Sequence, residues 1–66
     1  MTTQERIEHY RQLIAKARGR DNKRMQNARH AIINASVLQS LNEYAAQRHI
    51  EIAKQNLAAI GILTAA

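Results

Sequence analysis

Three kinds of side chain in this sequence could do chemistry: imidazoles, carboxylates and a crowded set of cations. The histidines are His9, His30 and His49. No two of them stand three or four residues apart, so no helix offers a pair of them to one metal ion. Glu5 and His9 have the i, i+4 spacing of a weak surface contact. Glu5 and Glu8 share one side of a helix near its start, where the macrodipole already accounts for acids. Ser36 and Ser40 lack a His or Asp at any local spacing suited to nucleophilic catalysis, and helix capping explains Ser40 better. There is no Cys and no glycine-rich phosphate loop, and 66 residues are too few to enclose a water-free pocket easily. The expectation is a protein that is not an enzyme, with no catalytic residue, metal, cofactor or small-molecule substrate.

The cations are a different matter. Residues 11–30 carry Arg11, Lys16, Arg18, Arg20, Lys23, Arg24 and Arg29 against Asp21 alone, which is seven minus one, or +6. Residues 1–10 sum to −1 and residues 31–66 to zero, so this window holds the whole excess of a chain whose net charge is +5. A block of this kind is expected where a protein meets nucleic acid or an acidic partner. The plainer explanation is a solvated face that keeps a small protein soluble. Lys23 and Arg24 tip the balance. They fall in the first turn of a helix, where the dipole disfavours cations by roughly 0.3–1 kcal/mol each. Beside the open N–H groups of that turn they would suit a phosphate or an acidic side chain.

The elements that must position these residues are helical. The sequence has no Pro and two Gly, and Ala, Gln, Arg, Ile and Leu dominate. Thr2-x-x-Glu5 has capping-box spacing, and Ile7, Tyr10, Ile14 and Ala17 recur at 3, 4, 3, with Leu13 widening the stripe. Gly19 fits the residue just past a helix end. A first helix is expected over about 3–18. Asp21 reads as the next N-cap, followed by a stripe of Met25, Ala28, Ile32 and Ala35. A second stripe, Ala46, Ile50, Ala53, Leu57 and Ile60, is offset from it. Ile33, Val37, Leu41 and Tyr44 point to another side. No straight helix keeps one face buried through that offset, and Ser40-x-x-Glu43 offers a capping box at the break.

Residues 1–66 therefore read as one all-α domain. It is either a helical hairpin with a long kinked second arm, or three short helices over about 3–18, 22–38 and 41–60. Gly61 would end the last helix, with Ile62 folding back towards Leu57. Hydrophobic residues make up 45% of the chain, but 12 of those 30 are Ala, so the core is thin. With disulfides excluded, self-association is the remaining common means of completing a core this small. Ile33, Val37, Leu41 and Tyr44 are the expected oligomer or partner interface, most simply in a homodimer.

Tyr10, Ala17, Asp21, Ala28, Ile32, Ala35, Tyr44 and Arg48 look loosely similar to the helix pattern of the AraC negative regulators, bacterial helical proteins of this length that bind transcription factors. The tryptophans and cysteine of that pattern have no counterpart here, and most of the shared positions are ordinary helix periodicity. The resemblance implies a protein-binding alternative and nothing finer.

The leading expectation is a cytoplasmic regulator of phage or plasmid type that binds DNA or RNA. It would do so mainly through phosphates, at Arg11, Lys16, Arg18, Arg20, Lys23, Arg24 and Arg29, and would affect transcription. Its third helix is neutral, which argues against reading the major groove as a helix-turn-helix does. No aromatic lies within the basic window, so base-stacking platforms are missing. The alternative is an inhibitor or adaptor docking on an acidic protein such as a transcription factor. The start of the chain has no apolar signal region, and its longest apolar run, Leu57 to Leu63, is far short of the roughly 20 residues that span a membrane.

Overall fold

A computed structural model describes residues 1–17 and 22–62. It contains three α-helices, α1 (Thr3–Lys16), α2 (Lys23–Leu38) and α3 (Glu43–Ala59). Of the two architectures the periodicity allows, the three-helix form is the one adopted. The helices bury the offset stripes. Ile7, Tyr10 and Ile14 come from α1, Met25, Ala28, Ala31, Ile32 and Ala35 from α2, and Ala46, Ile50, Ala53 and Leu57 from α3. Leu13, Ala17, Leu38, Ile60 and Ile62 pack around this core half-buried. Alanines make up much of the faces that α2 and α3 bury, so those two helices approach closely and form the main packed pair, with α1 laid against both.

Each helix start has a specific cause. Thr2 and Glu5 form a full capping box: the Glu5 amide donates to Thr2 Oγ1 at 3.1 Å and the Thr2 amide to Glu5 Oε1 at 2.9 Å. The other two caps differ from the sequence expectation. Asn22, not Asp21, caps α2, its Oδ1 accepting from the Met25 amide at 2.9 Å. Asn42, not Ser40, caps α3, accepting from the Ala45 amide at 3.1 Å. The reason is backbone conformation. Gln39 is still right-handed helical, and the Leu41 and Asn42 amides both donate to the Leu38 carbonyl, at 2.9 and 2.8 Å. The chain leaves the helical region at Asn42, with φ −154° and ψ 95°, so the cap belongs there. Glu43, freed from the expected box, accepts instead from the Thr3 hydroxyl at 2.8 Å.

That bond also fixes the topology. It joins the starts of α1 and α3, so both begin at the end of the molecule where α2 turns into α3. The opposite end collects the last turns of α1 and α3 and the first turn of α2. There Gly61, at φ +79°, closes α3: its amide donates to Ala58 and that of Ile62 to Leu57, at 3.1 and 3.0 Å. This is the Schellman pattern that the sequence predicts. Gly19, Asp21 and the end of the first expected helix lie outside the described residues. Among the described residues no helix is long and apolar enough to cross a membrane.

Candidate functional site

The end of the molecule between α1 and α2 is where the sequence places the charge. Lys16 is the last residue of α1, and Lys23 and Arg24 are the first two of α2; all three side chains are exposed. α2 has no acidic residue in its first turn. Arg18 and Arg20 lie outside the described residues. Arg29 is also exposed, but it stands apart: six residues beyond Lys23 it is about 9 Å along the helix and about 120° around it. Arg11, on α1, is paired with Glu8 at 3.4 Å. The structure thus brings Lys16, Lys23 and Arg24 to one end and leaves Arg11 and Arg29 on its flanks.

The electrostatics follow from where the carboxylates go. Glu5 is held by Thr2, Glu8 faces Arg11, Glu43 accepts from Thr3, and Glu51 lies 3.7 Å from Arg6 and 3.9 Å from Lys54. Each of the described carboxylates therefore has a partner elsewhere. Lys16, Lys23, Arg24, Arg29 and Arg48 make no ion pair with another described residue. The ion pairs that do form are exposed enough to add little stability, roughly 0–1 kcal/mol. Glu5 has its carboxyl held below the ordinary glutamate range, first by the hydrogen bond from the Thr2 amide and then by the Thr2 hydroxyl.

One side of α2 was not singled out by the sequence. Lys23, Asn27, His30 and Asn34 recur at 4, 3, 4, all exposed, and form a polar line directed away from the core. The interval from Lys23 and Asn27 to His30 is the sequence signal that places this imidazole on the line. It supplies a hydrogen-bonding group within two turns of the cations. Among the described residues no group of three or more His, Cys, Asp or Glu could hold a metal ion.

The expected interface residues are where a partner could reach them. Ile33, Val37, Leu41 and Tyr44 are 54%, 62%, 78% and 72% exposed. They occupy the second half of α2, the α2–α3 turn and the first turn of α3, away from the basic end. Comparison with known proteins finds no matching family model and no similar curated protein or solved structure.

Proposed function

We propose that this chain is a small, non-enzymatic, cytoplasmic regulator that binds nucleic acid through its basic end and thereby affects transcription. Lys16, Lys23 and Arg24 make the principal phosphate contacts, with Arg11 and Arg29 on the flanks, and Arg18 and Arg20 belong to the same window of sequence. The observation that carries this reading is the set of exposed cations at the start of α2, free of any described carboxylate while the described carboxylates are engaged elsewhere. Their placement against the helix dipole costs stability, and a bound phosphate converts that cost into attraction. Asn27 and His30 add hydrogen bonds of modest sequence preference, and the affinity is electrostatic.

The test is a salt titration of binding to duplex DNA and to single-stranded RNA. With four or more phosphate contacts, log K falls against log salt with a slope of about −0.9 per contact on the duplex. Lys23→Glu with Arg24→Glu removes binding by tenfold or more while helicity holds or rises, because acids suit the first turn. Absence of any complex at low salt and micromolar protein refutes the proposal.

A second reading is a protein-binding inhibitor or adaptor on an acidic target such as a transcription factor. The exposed Ile33, Val37, Leu41 and Tyr44 favour it. Pull-downs with and without nuclease separate the two, since only a nucleic-acid-mediated association is lost on digestion.

A further inference from the structure

The outward side of α2 changes character along its length. Its first half presents Lys23, Asn27 and His30, and its second half presents Ile33 and Val37 one turn apart. Leu41 and Asn42 both donate to Leu38, so the chain makes one further turn after α2, and Leu41 stands exposed in that turn. Tyr44 follows in the first turn of α3. From residue 31 to residue 47 the one charged side chain is Glu43, and it is engaged with Thr3.

We propose that a second copy of this chain covers the Ile33, Val37, Leu41 and Tyr44 surface in a two-fold dimer, and that the dimer joins two nucleic-acid segments. The sparseness of charge selects this occupant. The patch holds one carboxylate, Glu43, with Arg29 and Arg48 at its margins, so it meets its own image with little like-charge repulsion, whereas an acidic protein would be drawn to the basic end instead. The four side chains expose roughly 500 Å² per copy, to be compared with about 800 Å² per partner in a standard interface. Exposed Asn34, Ser40 and Gln47 extend that area as a polar rim.

The bridging role rests on the nucleic-acid reading above and follows from the distance between the two halves of α2. Lys23 precedes Ile33 by ten residues, about 15 Å of helix. Repulsion between the two basic ends favours the dimer in which they lie on opposite sides of the two-fold axis. Two separate phosphate-binding ends then face away from each other.

Two measurements test this. Sedimentation of the native chain across a wide concentration range is expected to show a reversible dimer of the 7.5 kDa chain. A single monomeric species up to high micromolar concentration overturns the proposal. In the second measurement an immobilised duplex captures a differently labelled free duplex through the protein. The native chain captures it. The neutral double variant Leu41→Gln, Tyr44→Gln captures at least tenfold less, while its affinity for one duplex stays within about twofold. Equal capture by native and variant chains removes this surface as the interface. Single-duplex binding by the native chain without capture of a second duplex removes the bridging role. Failure to bind any duplex refutes the nucleic-acid reading and with it bridging, but leaves the sedimentation result to decide the dimer. If the variant loses helicity, the native chain's concentration dependence still decides.

Discussion

Asn22 and Asn42 perform the same task at two helix starts, each lending an amide oxygen to the backbone N–H three residues on. Asn42→Ala removes an acceptor that no neighbour replaces. The expected loss is about 1 kcal/mol, or a fall of roughly 4–8 °C in the midpoint of thermal unfolding followed by circular dichroism. Ser40→Ala removes an exposed hydroxyl with no hydrogen bond among the described residues, and the midpoint should stay within the effect of about 0.5 kcal/mol. The reverse ranking would return the cap to Ser40. Glu5 makes a prediction about acid. Its carboxyl titrates below the ordinary glutamate range when folded, so the capping box stabilises α1 fully above the unfolded-state value and is lost as pH falls through the folded-state value. Thr2→Ala removes the hydroxyl but keeps the backbone amide that is the larger cause, so the Glu5 carboxyl resonance should move part of the way to a higher titration midpoint in NMR; an unchanged midpoint would show that the hydroxyl does not hold it.

At the scale of the elements, the α2–α3 pair depends on small side chains. Ala28, Ala35, Ala46 and Ala53 are fully buried, and the room around each is set by how closely two backbones approach. Ala35→Leu adds three carbons where there is no space, and is expected to cost about 1–3 kcal/mol in urea unfolding by forcing the helices apart. Ala15→Leu, on the exposed side of α1, is the control and should change stability by less than about 0.5 kcal/mol. A near-neutral Ala35→Leu would mean that the helices do not meet so closely. The opposite problem arises at the start of α2, where Lys23 and Arg24 occupy positions that helix stability alone would give to acids.

For the molecule as a whole, the helices were legible because apolar stripes at 3 and 4 residues shift register between Ala35 and Ala46, and no straight helix buries both stripes; whether the chain kinks or reverses there was not. The caps were not, because Asp21 and Ser40 are as good at capping as Asn22 and Asn42. The choice is made by the residue at which tertiary packing bends the backbone out of the helix. The charge window was legible as arithmetic. That Lys16, Lys23, Arg24 and Arg29 lack described counter-ions was not, because it depends on contacts such as Thr3 with Glu43, forty residues apart. His30 was missed for a simpler reason: its spacing from Lys23 and Asn27 has meaning only once α2 is seen to face outward there.

α1 is the least firmly attached of the three helices. It contributes Ile7, Tyr10 and Ile14 to the core, while its polar links, from Thr3 to Glu43 and from Arg6 to Glu51, lie at the surface. Amide hydrogens should therefore fall into two exchange classes. Those of α2 and α3 are released only when the whole chain opens, whereas those of α1 also escape through a cheaper event in which that helix lifts away alone. The gap between the two opening free energies measures the worth of α1's docking, and a single class for all three helices would show that the molecule opens as one unit.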